Sequence, residues 1–210
     1  MHKQLVLVRH GESNANACPD SRLLKSYDDD HVALSETGCQ QARECRRLMQ
    51  KELHLDFDLP KQASASSIIV YTSPKLRAIE TSTILGLADR HIIDRRLAEQ
   101  NIPNFADAAS RDFYKKEAKR FGKYSYRYPQ PGGESGEDVA MRLSAFLQDV
   151  AISTAAAQAD VILVICHEVV IRAAFYLLGE NTGPQVFDEI HVDNCEWVVF
   201  PDVNLDLLAQ

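Results

Sequence analysis

The sequence predicts an α/β fold, a single three-layer α/β/α domain around a mostly parallel central sheet. Four short apolar runs, at residues 3–8 (KQLVLV), 67–71 (SIIVY), 161–166 (VILVIC) and 195–200 (CEWVVF), have the length and β-branched character of strands. Helical patterns follow three of them, the alternation that lays parallel strands between two layers of helices. With 210 residues, 45% hydrophobic and 25% charged, the chain has the size and composition of one globular domain with a sizeable core, so 1–210 reads as one unit.

The first strand runs into Arg9, His10 and Gly11, where the apolar run gives way to charge. Ser35 is a helix N-cap before ETGCQQARECRRLMQ. The strand at 67–71 leads to Ser73 and Pro74, which predicts a helix with proline at its first position and Gly86 as its stop. Residues 99–133 are the least regular stretch, aromatic and basic in their second half. They read as an insertion over a binding site, with one helix near 107–120. Ser135, with Asp138 three residues on, opens the next helix. VILVIC then feeds a helix that Gly179 ends, and 195–200 closes the sheet.

Thirty acidic against 23 basic residues leave a formal charge of −7, which argues against a nucleic-acid or anionic-membrane surface as the main partner. The five cysteines (Cys18, Cys39, Cys45, Cys166, Cys195) are odd in number and widely spaced, which suits reduced thiols rather than disulfides or structural zinc. No run approaches the ~18 apolar residues of a membrane span. The expectation is a soluble cytoplasmic protein, with no signal for a particular oligomeric state.

In open α/β sheets, ligands bind at the carboxyl ends of strands, beside the N-termini of the helices that follow. Arg9 and His10 stand after the first strand, Arg77 about one turn into the helix after Ser73, and His167 directly after VILVIC. Three segments thus bring a cation or an imidazole to one sheet edge. In so acidic a chain that predicts a locally built pocket for a dianion, and phosphate suits it because guanidinium forks match its oxygens. Nucleotide loops are excluded, since neither G-x-G-x-x-G nor G-K-[ST] occurs near Gly11. HEVVI lacks the second histidine of a zincin, its last position being Ile171. His2, His31, His54, His91 and His191 have no motif around them.

These residues resemble the histidine phosphatase superfamily, the phosphoglycerate mutase-like proteins. Five boxes occur in order: R-H-G-E-S-x-x-N as Arg9, His10, Gly11, Glu12, Ser13 and Asn16; L-S-x-x-G-x-x-Q-A from Leu34 to Ala42; S-x-x-x-R-A-x-x-T from Ser73 to Thr81; R-L-x-E as Arg96, Leu97 and Glu99; and the second histidine box, His167 to Arg172. The resemblance implies that His10 attacks phosphorus and carries a phosphohistidine. It also implies that Arg9, Arg77 and His167 hold the non-bridging oxygens, that Ser13 and Asn16 contact phosphate or substrate, and that no metal or cofactor takes part. Glu99 resembles the family's proton donor, which requires a raised pKa, and Glu134 and Glu168 compete for the role. Glu12 reads as support for the loop.

The stretch RFGKYSYRYPQPGGESGEDV together with VICHEVVIR is similar to the bisphosphatase domain that cleaves fructose 2,6-bisphosphate. It is also similar to a subgroup of plant, fungal and bacterial mutase-like proteins, which the spacing from Glu99 to Lys123 and the pair Asn104-Phe105 favour. Gly136 stands where the bisphosphatase has a tyrosine, Glu168 where it has glutamine, and Pro103 where a glycine is common. Lys119, Arg120, Lys123, Tyr124 and Arg127 are candidate contacts for the far end of the substrate, with Lys115 and Lys116 on a solvated face. Arg172 either reaches the pocket mouth or makes a structural salt bridge. The expected activity is metal-independent hydrolysis of a small phosphorylated metabolite. The alternatives are a phosphoglycerate mutase and a non-catalytic phospho-ligand binding module.

Overall fold

The computed structural model describes residues 3–18, 28–55, 57, 68–102, 108–121, 133–179, 183, 185–201 and 203. Five strands form one sheet: β1 (Gln4–Arg9), β2 (Ile68–Thr72), β3 (His91–Ile93), β4 (Val161–Cys166) and β5 (Trp197–Phe200), in the order β3-β2-β4-β1-β5. β4 lies between β1 and β2, parallel to both, and every one of its residues is buried. Such a strand reads as a continuous apolar run because helices cover both faces. β5 alone runs antiparallel, along β1.

The described helices are α1 (Asn14–Ala17), α2 (Glu36–Glu52), α3 (Leu76–Ile84), α4 (Ala108–Phe121), α5 (Gly136–Ile152), α6 (Thr154–Ala157), α7 (Glu168–Leu178) and α8 (Val186–Glu189). Side chains alternate across the sheet, so β1 feeds two cores. Leu5 and Leu7 join Val139, Leu143 and Phe146 of α5 and Val169 and Val170 of α7. Val6 and Val8 join Ala42, Cys45 and Met49 of α2 and Ala78 of α3. Burying each large apolar side chain stabilises the fold by about 1.5–3 kcal/mol, so the two faces hold the three layers together. All five cysteines are free thiols, and no described helix is long and apolar enough to cross a membrane.

Several local expectations need correction. Proline does not open α3, which starts at Leu76. Ser73 Oγ accepts from the Lys75 N–H at 3.2 Å, a turn that holds Pro74 ahead of the helix, and Arg77 is therefore its second residue rather than a turn inside. Gly86 does terminate α3 in the left-handed region, at φ +84°. Gly179 ends α7 with φ −75°, so the glycine is needed for space instead: a Cβ there would lie 2.5 Å from the Phe175 carbonyl oxygen. The last strand begins at Trp197, because Cys195 has φ +61° and its N–H turns back to the Arg9 carbonyl at 3.0 Å. β3 lacks an apolar run long enough to announce itself. Within 99–133, α4 spans 108–121 as expected, while 103–107 and 122–132 lie outside the described residues.

Candidate active site

Strand register sets the level of the site. Arg9 pairs with Cys166 and Thr72 with Ile165, and the ladder continues one step as His10 N–H donates to the Cys166 carbonyl and Ser73 N–H to the Ile165 carbonyl. His10, Ser73 and His167 therefore leave three neighbouring strands side by side. The N-termini of α3 and α7 open at the same edge, which favours an anion there.

The loop after β1 is clamped from below. A Cβ on Gly11 would lie 2.6 Å from the Gly38 carbonyl oxygen, and one on Gly38 would strike the Glu12 carbonyl oxygen. The two glycines let the loop and the first turn of α2 approach backbone to backbone. Glu12 fastens the contact by accepting from Ser35 Oγ at 2.6 Å, while its N–H donates to Gln41 Oε1 at 2.8 Å. Its support role is thus a packing role.

His10 and His167 are 3% and 0% exposed, with ring centroids 4.9 Å apart in an edge arrangement. His10 Nδ1 lies 2.6 Å from the Gly11 carbonyl oxygen. A carbonyl only accepts, so Nδ1 carries the proton and Nε2 keeps its lone pair. Arg77 Nε donates to that Nε2 at 3.3 Å. Burial first, and then the Arg77 charge, push the His10 pKa down from 6.5 to about 3, which keeps the ring neutral.

His167 has the complementary arrangement. Ser73 Oγ, which also accepts from Lys75 N–H, lies within hydrogen-bond distance of His167 Nε2 at 2.8 Å; with the hydroxyl donating, the ring proton sits on Nδ1. That Nδ1 is buried without a hydrogen-bond partner, and the nearest carboxylate oxygen, Glu99 Oε2, is 3.9 Å away. Burial, followed by the Arg77 charge, pushes this imidazole well below 6.5 as well.

Three carboxylates compete for proton transfer, and their partners separate them. Glu134 accepts from Arg142 Nε at 3.0 Å and from the Asn101 N–H at 2.7 Å. Glu168 accepts from Arg172 at 2.6 Å and from His191 at 2.9 Å, with Arg9 at 3.5 Å. Glu99 accepts from the Gln100 N–H at 2.8 Å through Oε1 and turns Oε2 to His167. Of the three, Glu99 has an oxygen facing the paired imidazoles.

Arg9 donates to the Val192 carbonyl and approaches Glu168, while its Nε is buried without a partner. Ser13 and Asn16 are engaged with each other: Ser13 N–H donates to Asn16 Oδ1 at 3.1 Å and Asn16 N–H to Ser13 Oγ at 3.2 Å, the capping box of α1, and Ser13 Oγ–H donates to the same Oδ1 at 2.9 Å. Ser13, 2% exposed, is a capping residue in this arrangement rather than a group presented to a ligand. Arg172, 5% exposed, bonds Glu168 and the Ile190 carbonyl, so it is a structural tie rather than a pocket-mouth residue. Arg120 is exposed on α4; Lys123, Tyr124, Arg127 and the Lys119 side chain lie outside the described residues. A cavity of about 810 Å³ opens beside Glu99, lined among others by Lys75, Ile79, Arg95, Glu134 and Arg142.

Sequence reasoning missed Asp29. It stands in a 3-10 turn, Asp29–His31, and binds both Arg77 and Lys75. The acidic run before Leu34 and Ser35 was the available signal. Among the described residues, no group of three or more His, Cys, Asp or Glu is placed to hold a metal ion.

The sequence profile of the histidine phosphatase superfamily (branch 1) matches residues 5–201. Phosphoglycerate mutase-like protein AT74 of Arabidopsis thaliana is 31% identical over 154 residues, which are 70% of this chain and 46% of that protein. The chain thus spans about half the length of that relative. Fructose-2,6-bisphosphatase TIGAR B of Danio rerio is 30% identical over 172 residues, 74% of this chain and 60% of its own. Among solved structures, the mycobacterial glucosyl-3-phosphoglycerate phosphatase complexed with VO3 superposes with a TM-score of 0.67 at 22% identity, covering 94% of this chain and 92% of its own. That likeness concerns the fold, an α/β architecture with a mostly parallel five-stranded sheet.

Proposed function

The chain belongs to the histidine phosphatase superfamily, branch 1, and from that premise we propose that it hydrolyses a small phosphorylated metabolite through a phosphohistidine at His10. The observation that carries the reading is the pair of oppositely set imidazoles. His10 keeps an Nε2 lone pair, and beside it His167 turns a buried Nδ1 that has no hydrogen-bond partner and, with Ser73 donating to Nε2, serves as a donor. An unmet buried donor costs about 1–3 kcal/mol, which a phosphoryl oxygen recovers.

In this mechanism His10 Nε2 attacks phosphorus in line and the ester P–O bond breaks. Arg77, His167 Nδ1–H, the unpartnered Arg9 Nε and the Asn16 amide hold the non-bridging oxygens as charge redistributes. Glu99 donates a proton to the departing alkoxide. It then takes one from the water that attacks the phosphohistidine, which releases phosphate and restores His10. The residues supply nucleophile, charge and proton without a metal.

The test is phosphate release from a broad panel of phosphomonoesters near pH 6 with EDTA present, comparing wild type with His10→Ala. Release that survives chelation and vanishes in the variant supports the proposal. The mutase-like relative motivates a second reading, in which the phosphohistidine is kept from water and re-donated. Interconversion of 3-phosphoglycerate in the presence of 2,3-bisphosphoglycerate, faster than phosphate release, favours that reading. Binding of phosphate esters with neither reaction identifies a phospho-ligand binding module.

A further inference from the structure

Arg77 is 3% exposed and its guanidinium is held on one edge by a single residue. Nη1 donates to the Asp29 backbone carbonyl at 2.9 Å and Nη2 to Asp29 Oδ2 at 3.2 Å. A guanidinium presents two bidentate edges, the terminal Nη1/Nη2 edge and the lateral Nε/Nη2 edge. Asp29 occupies the terminal edge, and the lateral edge faces inward, with Nε 3.3 Å from the nucleophilic Nε2 of His10.

Asp29 itself is fixed from three directions. It belongs to the 3-10 turn that Asp28 caps by accepting from the Asp30 N–H at 3.0 Å. Lys75 Nζ binds Asp29 Oδ2 at 2.8 Å and Asp30 Oδ1 at 2.6 Å, which pins the turn to the start of α3. Arg77 is the second residue of that helix. The turn and the arginine are therefore tied to the same end of α3.

We infer that Asp29 is the positioning residue for Arg77, clasping its terminal edge so that the lateral edge is presented to the phosphoryl group at His10. The inference rests on the phosphoryl-transfer reading of the site and concerns how one of its cations is aimed. A free arginine side chain must be ordered each time it grips the reacting phosphoryl group, whereas one already clasped is in place beforehand. The negative charge of Asp29 also offsets Lys75 and Arg77, so the released phosphate product meets a weaker field than bare cations would present. Asp29 touches neither nucleophile nor leaving group in this role and acts through Arg77.

The experiment compares wild type, Asp29→Ala, Asp29→Asn, Arg77→Ala and the double variant Asp29→Ala/Arg77→Ala. Each is assayed with p-nitrophenyl phosphate and titrated calorimetrically with vanadate, a mimic of the pentacoordinate state, and with inorganic phosphate. Asp29→Ala is expected to lower kcat by about tenfold or more and to weaken vanadate more than phosphate, as loss of preorientation demands. Asp29→Asn keeps an oxygen acceptor and falls between. In the Arg77→Ala background, Asp29→Ala is expected to add less than about twofold, because the two act as a unit.

The inference is overturned if Asp29→Ala leaves kcat and vanadate binding unchanged, if it tightens both anions, which makes Asp29 a competitor of phosphate, or if its effect multiplies independently of Arg77→Ala. Circular dichroism verifies folding, and should Asp29→Ala fail to fold, the near-isosteric Asp29→Asn decides by the same criteria. Failure of the hydrolase reading is separate: wild type then releases no phosphate from any ester, while the anion titrations still compare Asp29 variants with wild type. A wild type that binds neither anion removes Arg77 from an anion site and Asp29 with it.

Discussion

His167 Nδ1 and Glu99 Oε2 face each other across 3.9 Å, too far for a hydrogen bond, with the imidazole nitrogen buried and unbonded. In the proposed mechanism a phosphoryl oxygen meets the histidine and the ester oxygen meets the carboxyl. Glu99→Gln is therefore expected to slow alkyl phosphates by about 10²- to 10⁴-fold, the usual worth of a general acid, and p-nitrophenyl phosphate far less. Glu134→Gln, which disturbs the Arg142 and Asn101 bonds instead, should slow both esters alike. Steady-state rates on the two ester classes decide; equal slowing by Glu99→Gln removes it as the donor.

Both site imidazoles have pKa values depressed by burial and by Arg77, His10 to about 3. Below 6.5 the unfolded chain binds protons that the folded chain refuses, so stability rises with pH between about 3 and 6.5 and is flat above. Thermal unfolding followed from pH 7 down to pH 4 should show the melting temperature falling, with a shallower fall for His10→Asn. An unchanged slope in that variant contradicts the assignment of the loss to His10.

Ser73→Ala removes the hydroxyl that bonds and orients His167 Nε2. Losing one such hydrogen bond is worth roughly 1 kcal/mol, so kcat is expected to fall by about five- to tenfold with KM little changed. Ser73→Thr, which keeps a hydroxyl, should recover part of it. Parallel losses in kcat and melting temperature for both variants would instead mark Ser73 as a packing residue.

Gly38→Ala inserts a methyl against the Glu12 backbone, where no flexible side chain can give way. Urea unfolding should report a destabilisation of about 1–3 kcal/mol, typical of overpacking. Phosphatase activity should drop with it, because the displaced loop carries His10. Wild-type stability in Gly38→Ala would mean that the loop and α2 part without cost.

The three layers were legible because β1 and β4 advertise buried strands and because Ser35 and Ser135 cap helices in the expected way. So was the convergence of His10, Arg77 and His167, which follows from strand order alone. The start of α3 was not, since the Ser73 turn that displaces Pro74 depends on a hydroxyl shared with His167 from another strand. Asp29 escaped for a related reason. Its partner Arg77 is 48 residues away, and an acidic run looks the same in sequence whether it is solvated or clasping a cation. The box that Ser13 and Asn16 share marks both as ligand contacts, but it does not reveal that Ser13 Oγ bonds Asn16 Oδ1.

Among the described residues, β1, which leads into His10, pairs in the sheet with β4 and β5, both beyond residue 160. Translation makes β1 well before either neighbour exists, leaving an apolar segment with both edges open. Such distant parallel pairing is slow to close. His10 is thus made before Arg77 and His167, yet the strand that leads into it is held in the sheet only once β4 has formed, so the candidate site comes together late in folding.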